Sequence, residues 1–315
     1  MKPATIPNLP FSVIIAVYND WAPLDQCLDS LAQQVEPPNF EVIVIDDGSK
    51  DSAPQFIRRW IASYPMTVVR QPHTGISAAR NHGVRVSRGS ILLFVDADCN
   101  LDANCLCALH SAITAAPQHK FFQLRLTGDC SRLVGKSEQL RLQSIQDHQL
   151  QPDGRIQYLN TSGFALRAVG AEDEEDLFNP SALRAEDTLL LAQLLKVGDA
   201  PLFVGNAIVQ HAIPLSLVQC LLKDIRSAYL EGETYALIAA MGVGIRVSFR
   251  ERLQILRFTW KIAGASPAGR SGWVLFVIRT ILQRLTSVSY PYLRPLFELP
   301  RASTSVLKNP ASGRI

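Results

Sequence analysis

The amino-acid sequence predicts an α/β fold, in which a mostly parallel sheet is flanked by helices and followed by a C-terminal helical extension. Over the first hundred residues, short apolar runs alternate with amphipathic stretches, an order that requires crossover connections and a sheet covered on both faces. The chain has 315 residues, of which 47% are hydrophobic and 19% charged, enough for a large core and unlike a disordered or collagen-like chain. The last hundred residues are basic and carry apolar residues at helical spacing.

The first hundred residues are predicted to form four strands with three helices between them. The strands are short apolar, mostly β-branched runs at 11–17, 40–45, 67–70 and 91–95. The first helix has apolar residues at i, i+3, i+4 and i+7 from Leu24 to Leu31, and the others span about 53–63 and 76–86. Because open parallel sheets bind ligands beyond the carboxyl ends of their strands, we expect functional residues directly after each strand.

Beyond residue 100 the pattern is weaker. It indicates helices near 101–115, 186–197 and 215–235, and strands near 120–126, 163–167, 202–204 and 207–210. No internal repeat is visible, and the polar end of the chain is predicted to be frayed.

Charge divides the chain near residue 215. Residues 1–215 carry 17 Lys and Arg against 23 Asp and Glu, a net charge of −6, whereas residues 216–315 carry 14 against 5, a net charge of +9. We therefore predict a catalytic domain at 1–215, a basic amphipathic helical extension at 216–299 and a disordered tail at 300–315. Such a basic extension is expected to meet an anionic partner.

Residues 246–285 combine eight Lys and Arg with large apolar side chains and a single acid, Glu251. Segments of this kind can lie in a membrane interface, with cations at anionic headgroups. The alternative is that their apolar faces pack on the catalytic domain or on a second subunit. Residues 1–10 contain no apolar signal core, and no window reaches 18 uncharged apolar residues. We therefore expect a cytoplasmic protein, either free or peripheral on the inner face of the membrane.

Polar residues follow each of the first four predicted strands. They are Tyr18-Asn19-Asp20, Asp46-Asp47-Gly48-Ser49, Gln71-Pro72-His73-Thr74-Gly75 and Asp96-Ala97-Asp98. Any one of these polar segments could simply cap the helix that follows it. Because four such segments are expected at the same edge of the sheet, the sequence favours a binding site there.

Asp96 and Asp98, at the end of an apolar strand, are suitable ligands for Mg²⁺ or Mn²⁺, whose remaining ligands substrate phosphates can supply. With Asp46 and Asp47 on a neighbouring strand, and with Arg80 able to bind a phosphate bidentately, the pattern favours a nucleotide diphosphate site over a structural cluster. The sequence has neither a G-x-G-x-x-G turn after the first strand nor a P-loop. A phosphatase with an aspartyl nucleophile is a more distant alternative.

Seven pieces, in order over about 200 residues, carry a resemblance to a known family. They are FSVIIAVYND (11–20), EVIVIDDGSKD (41–51), GISAARNHG (75–83), ILLFVDADC (91–99), SGFALR (162–167), AEDTLLLAQLLKVG (185–198) and VQHAIP (209–214). In these pieces the sequence resembles glycosyltransferase family 2. The resemblance implies the GT-A fold, a Rossmann-like sheet that binds a nucleotide sugar.

The resemblance also implies roles for individual residues. Val17, Tyr18, Asp46 and Asp47 match positions that line the uridine pocket, and Arg80 matches a position near the diphosphate. His73 stands where the family often has Asn, so the resemblance does not assign the diphosphate or loop contacts at this position.

The remaining roles concern the metal and the base. Asp98 would hold the ion against the diphosphate, and Asp96 would approach the ribose or a metal-bound water. His211 could add a metal or phosphate contact, although a lone His after a strand is as often structural. Asp187, in the pair Glu186-Asp187 at a helix start, matches the general base.

These implied roles predict an inverting, metal-dependent transferase that moves a sugar, from a UDP-sugar donor, to a hydroxyl of a glycan or lipid-linked acceptor. No nucleic-acid partner is expected. A sugar nucleotidyltransferase is an alternative, but it would need a Gly-rich, basic loop after the first strand, where this chain has Tyr18-Asn19-Asp20-Trp21. A catalytically inactive nucleotide-sugar-binding scaffold is a second alternative, which the presence of Asp96, Asp98 and Asp187 disfavours.

Overall fold

The computed structural model describes residues 10–168, 176–182, 184–212, 215–243 and 249–293. Within them the strands are β1 (Phe11–Val17), β2 (Phe40–Asp46), β3 (Met66–Arg70), β4 (Ile91–Asp96), β5 (Cys99–Leu101), β6 (Phe121–Gly128), β7 (Phe164–Arg167) and β8 (Leu202–His211). The helices are α1 (Trp21–Ala32), α2 (Ile57–Ser63), α3 (Ile76–Val86), α4 (Cys105–Ala115), α5 (Leu133–Gln149), α6 (Glu186–Lys196), α7 (Leu217–Ala240), α8 (Phe249–Ala265) and α9 (Gly269–Leu293).

The strands form one sheet in the order β3-β2-β1-β4-β7-β6-β8-β5. The first four run parallel to one another, whereas β7 is antiparallel to both of its neighbours. In the register of the sheet, Val17 pairs with Asp46 and Ala16 pairs with Asp96. The carboxyl ends of β1, β2 and β4 therefore meet at one edge, as the sequence predicts.

Side-chain alternation along the strands builds a core on each face of the sheet. Val13 and Ile15 of β1 point into a large cluster that includes the apolar face of α1. Ile14, between them, points into a second cluster with Phe94 of β4 and Leu190 of α6. Helices thus cover both faces, which explains why the central strands are almost continuously apolar.

Within the described residues, α5 and β5 are elements that the sequence did not predict. Helix α5 buries several polar residues, among them Ser137, Glu138 and Gln146, so it lacks the apolar stripe that marks a helix in a sequence. Strand β5 is only three residues long and forms because it pairs antiparallel with the end of β8. The helix predicted from residue 101 therefore begins at Cys105, and the two short strands predicted near 202–210 are the single strand β8.

The three C-terminal helices pack mainly on α5 and on one another. Helix α7 begins with a capping box, in which Ser216 and Gln219 satisfy each other's backbone N–H groups. Arg279 of α9 is buried and donates to both carboxylate oxygens of Asp224 on α7, at 2.7 and 3.0 Å. Arg279, one of the cations assigned to a membrane surface from the sequence, is therefore an interhelical contact.

Across the described ranges, none of the helices combines the length and apolar character needed to cross a membrane. The predicted tail at 300–315 lies outside the described residues, as do Arg246 and the side chains of Arg250 and Arg252. The predicted boundary near residue 215 between a catalytic domain and an extension stays a prediction.

Candidate active site

Asp47 organises the loop that follows β3. Its buried carboxylate accepts hydrogen bonds from the backbone N–H groups of Thr74 and Gly75, at 3.0 and 2.9 Å, and from the side chain of Gln71 at 2.8 Å. Nδ1 of His73 lies 2.8 Å from Oδ2 of the same carboxylate, the oxygen that accepts from Gly75. Gly48, next along the chain, has φ of +78°, and a Cβ there would lie 2.7 Å from the backbone N of His73. Asp47 therefore shapes the loop over 71–75.

Tyr18 lies at the same edge, directly after β1. Its ring is 43% exposed and stacks on His73, with the ring centroids 4.0 Å apart and the planes 13° from parallel. The backbone N–H of Asn19 donates to Oγ of Ser49, and Asp46 accepts from the N–H of Ser49 at 2.8 Å. The predicted pocket residues Val17, Tyr18, Asp46 and Asp47 are thus brought together, with an exposed aromatic face among them.

Arg80 differs from its sequence-based interpretation. The sequence suggests that it binds a diphosphate, but its side chain is only 3% exposed. Its two terminal nitrogens donate to carboxylates, Nη2 to Asp96 at 2.7 Å and Nη1 to Glu186 at 2.5 Å. Arg80 therefore links the end of β4 to the start of α6.

Asp96 is held by two donors. One carboxylate oxygen accepts from Arg80 and the other from Oγ of Ser162, at 2.6 Å. Burial by itself raises the pKa of Asp96, but Arg80 and the Ser162 hydrogen bond lower the pKa to about 2. Asp96 is therefore ionised at neutral pH. The sequence had given Ser162 no role, although it lies in the SGFALR piece.

Asp98 and His211 meet because β5 pairs with the end of β8. Cys99 is the register partner of His211, and Nε2 of His211 lies 3.2 Å from Oδ2 of Asp98. Although burial lowers the pKa of His211, the carboxylates of Asp98 and Glu138 raise it to about 10. In the described part of the chain, Asp98, Cys99 and His211 form a group of ligand-type atoms within 4.8 Å of one another.

This group fits a divalent cation. Asp98 supplies the carboxylate oxygen that Mg²⁺ and Mn²⁺ prefer, and His211, on a partly exposed side chain, supplies an imidazole nitrogen once the ion displaces the proton that its raised pKa retains. Burial, together with Asp98 and Asp96, raises the pKa of the Cys99 thiol well above its usual value, so Cys99 is a neutral neighbour. Asp96 is not a member of the group.

Asp187 lies in the first turn of α6, next to Glu186. The helix is preceded by Ala185, which adopts the left-handed conformation at φ of 59°, a strained position for a residue with a side chain. Burial raises the pKa of Asp187, and the neighbouring Glu186 carboxylate raises it further, to about 7, against the lowering effect of Arg80. A carboxyl with this pKa can take up a proton at neutral pH.

Helix α7 reaches the edge of the site. Oγ1 of Thr234 donates to the backbone carbonyl of Arg184, just before α6, at 2.6 Å. Burial and Asp98 raise the pKa of Asp20, and Lys223 of α7 lowers it, so both charges act on the loop after β1. No sequence pattern predicts these contacts, because each joins α7 to a residue that is distant along the chain.

The mixed sheet flanked by helices is the architecture of the GT-A class of glycosyltransferases, and comparisons with known proteins agree. Residues 12–168 match the family described as Glycosyl transferase family 2. The glycosyltransferase AglE of Haloferax volcanii is 38% identical over 97 residues, which are 30% of this chain and 32% of that protein. The chain therefore belongs to glycosyltransferase family 2 through this domain.

Two solved structures share the fold over most of the chain. S. aureus TarS 1-349 in complex with UDP-GlcNAc has a TM-score of 0.53 and 17% identity, and covers 92% of each chain. The mannosyltransferase PcManGT of Pyrobaculum calidifontis, in complex with GDP-Man and Mn²⁺, has a TM-score of 0.54 and 18% identity, over 92% of this chain and 91% of that one. The sequence match to AglE spans only about a third of that relative's length.

Proposed function

We propose that this protein is an inverting glycosyltransferase that moves a sugar from a nucleotide donor, a UDP-sugar, to a hydroxyl of a glycan or lipid-linked acceptor. The observation that carries the proposal is the bridge made by Arg80, which joins the Asp96 end of β4 to the Glu186-Asp187 start of α6. This bridge connects the part of the site proposed to hold the leaving diphosphate with the part that contains the proposed general base. The nucleotide sugars bound to TarS and PcManGT support this class of donor.

In this proposal, Asp98 and His211 hold Mg²⁺ or Mn²⁺. When bound, the ion neutralises the negative charge that develops on the nucleoside diphosphate. Asp96 is fixed by Arg80 and Ser162, and would approach the ribose or a metal-bound water. Val17, Tyr18, Asp46 and Asp47 form the wall for the uridine.

Asp187 is the proposed general base. Its pKa near 7 allows it to accept the proton of an acceptor hydroxyl as that oxygen attacks the anomeric carbon, a contribution of about 10² to 10⁴ in rate. Glu186 lies beside it and binds Arg80, so it orients the helix start rather than taking the proton. Direct attack by the acceptor gives inversion at that carbon.

Calorimetry with UDP and Mn²⁺ tests the two roles separately. Asp98→Asn should lose metal-dependent UDP binding, because the carboxylate that faces the ion becomes a weaker, neutral ligand. Asp187→Asn should bind UDP and Mn²⁺ like the unchanged protein, within about twofold, while turnover falls by about 10² or more. Equal affinity in the Asp98 variant would overturn the metal assignment. Normal turnover in the Asp187 variant would overturn the base, and no sugar transfer by the unchanged protein would favour the scaffold alternative.

We also propose that the C-terminal helices meet an anionic membrane surface. One face of α9 is apolar and exposed, and the cations Arg257, Lys261, Arg270 and Arg284 are exposed on α8 and α9. The members of that face are Val274, Ile278, Ile281 and Leu285, at helical spacing. The opposite face, with Leu275 and Phe276, is buried within the protein. The alternative interpretation, in which the apolar residues pack within the protein, therefore holds for this buried face. The proposed membrane contact concerns the exposed face of α9.

Vesicle co-sedimentation tests this surface. Because α9 contributes to the core, removing it would expose buried residues, so we choose the surface variant Ile278→Ser/Ile281→Ser. The unchanged protein should bind vesicles containing phosphatidylglycerol at low salt and lose much of that binding at high salt. The double variant should bind less, while Ile61→Ser, an equally exposed apolar position on α2, should not change. Equal binding by all three proteins would contradict the proposal.

A further inference from the structure

Glu138 of α5 faces the candidate metal site from inside the protein. Its carboxyl is 1% exposed, and Oε1 lies 3.6 Å from Nδ1 of His211. This distance suits an ion pair and is slightly longer than a hydrogen bond. The other ring nitrogen, Nε2, faces Asp98 at 3.2 Å. The imidazole of His211 therefore lies between two carboxylates, one at the open edge of the site and one in the core.

Two arginines fix the position of Glu138. Arg141, one turn further along α5, donates to both carboxylate oxygens at 3.0 and 2.5 Å. Arg279 of α9 donates through NH1 to Glu138 at 3.1 Å and to Ser137 at 2.9 Å. Both guanidinium groups stabilise the charged form of this buried carboxylate. Glu138 is thus a fixed anion.

Asp224 of α7 completes this cluster. It accepts two hydrogen bonds from Arg279, through Nε at 2.7 Å and NH2 at 3.0 Å, and a third from Gln283 at 3.0 Å. Arg279 therefore joins α7, α9 and α5. A chain of charged contacts runs from these helices through Glu138 to His211 and Asp98.

We propose that Glu138 is a positioning residue, which orients the imidazole of His211 for a divalent cation and is itself held in place by Arg279 of the C-terminal helices. The inference rests on the proposed metal-dependent function. To bind a metal ion, His211 must be neutral and must present a lone pair. A buried anion facing Nδ1 keeps the remaining hydrogen on that nitrogen, so the lone pair is on Nε2, which faces Asp98.

The competing explanation is that Glu138 only neutralises the two buried arginines. A purely structural carboxylate would affect the stability of the fold and leave metal binding unchanged. Glu41 provides a matched control for this effect. Its side chain is equally buried, at 2% exposed, and pairs with Arg88 at 2.6 Å at the start of β2, the end of the strand away from the site.

Titration calorimetry with Mn²⁺ in the presence of UDP distinguishes the two explanations. Glu138→Gln should weaken Mn²⁺ binding by about 10- to 100-fold, as expected when the partner of a metal-ligating His is removed. Glu41→Gln should bind Mn²⁺ within about twofold of the unchanged protein, although it also loses a buried ion pair. Pulsed EPR of bound Mn²⁺ should detect the ¹⁴N coupling of His211 in the unchanged protein, a reduced coupling in Glu138→Gln and none in His211→Ala.

If Glu138→Gln does not fold, Glu138→Asp keeps the charge beside the arginines but withdraws the carboxylate from Nδ1. It should bind Mn²⁺ more weakly than the unchanged protein. A folded Glu138 variant with unchanged Mn²⁺ affinity and ¹⁴N coupling overturns the inference while the proposed function stands. Full Mn²⁺ affinity in His211→Ala would overturn the inference together with the metal role of His211, while the proposed sugar transfer would stand. If the unchanged protein binds neither Mn²⁺ nor UDP, the proposed function itself fails.

Discussion

The two sides of the candidate site are assembled over different distances along the chain. On the nucleotide side, Asp47 contacts Thr74 across 27 positions, and Asn19 contacts Ser49 across 30. On the metal side, Asp98 contacts His211 across 113 positions, and Arg80 contacts Glu186 across 106. The nucleotide side belongs to consecutive strand–helix units, whereas the metal side requires the whole fold. Changes at Arg279 in the C-terminal helices should therefore affect the metal side more than the nucleotide side.

The largest effect should come from Arg279→Met, which removes the shared partner of Asp224 and Glu138. Breaking a buried ion pair by removing one member leaves an uncompensated charge, so the free energy of unfolding should fall by about 3–5 kcal/mol. The control is Arg59→Met, which removes an exposed ion pair with Asp25 and should cost less than about 1 kcal/mol. Urea denaturation followed by tryptophan fluorescence measures both.

The same Arg279 variant also tests whether the two sides are separate. If it folds, Mn²⁺ affinity should fall while UDP affinity without metal is retained. An equal loss of both affinities would show that the nucleotide side also depends on the distant helices, contrary to the comparison.

The next effect concerns pH. Asp187 must be deprotonated to accept a proton, and its pKa lies near 7, so turnover should fall about tenfold for each pH unit below that value and level off above it. The measurement is kcat against pH at saturating donor, acceptor and Mn²⁺. Asp187→Asn should remove this limb of the profile. A limb near pH 4, typical of an ordinary carboxyl, would contradict the assignment of Asp187.

The smallest effect should come from Tyr18→Ala on the nucleotide side. Removing an exposed ring already stacked on His73 should weaken UDP binding by about 1 kcal/mol, or about fivefold, through lost base stacking. Tyr18→Phe retains the ring and should bind UDP normally. Because this side is local, the Mn²⁺ contribution to binding should be the same in both variants. A change in that contribution would mean that the two sides are coupled.

Much of the first half of the fold was predictable from the sequence. The strand at 11–17 and the helix at 76–86 have the predicted bounds, because their periodicity is strong and their contacts are local. The prediction that polar residues gather after β1, β2 and β4 is also confirmed by the register of the sheet. In contrast, α5 was missed, because its buried face contains Ser, Glu and Gln side chains whose partners are distant in sequence.

Individual roles were harder to predict than positions. The sequence singled out Arg80 for a diphosphate, but it could not show that the guanidinium is buried between Asp96 and Glu186. Glu138 and Ser162 received no role, since a lone Glu on a weakly amphipathic helix, or a lone Ser before a short strand, is typical of any surface. The roles of both residues follow from their contacts in the folded structure, with His211 for Glu138 and with Asp96 for Ser162.

The sequence by itself determined the strand–helix order, the family and the carboxylates at the sheet edge, because alternating apolar periods and strand-end motifs are encoded over a few neighbouring residues. The tertiary structure decided which charges meet. Asp98 faces His211 only because β5 pairs with β8, and Glu138 faces His211 only because α5 packs on the neighbouring strand β6 and Arg279 of α9 holds the carboxylate. A buried charge needs partners that a linear pattern cannot specify, because charges are tolerated in the core only where the fold brings an opposite charge into contact.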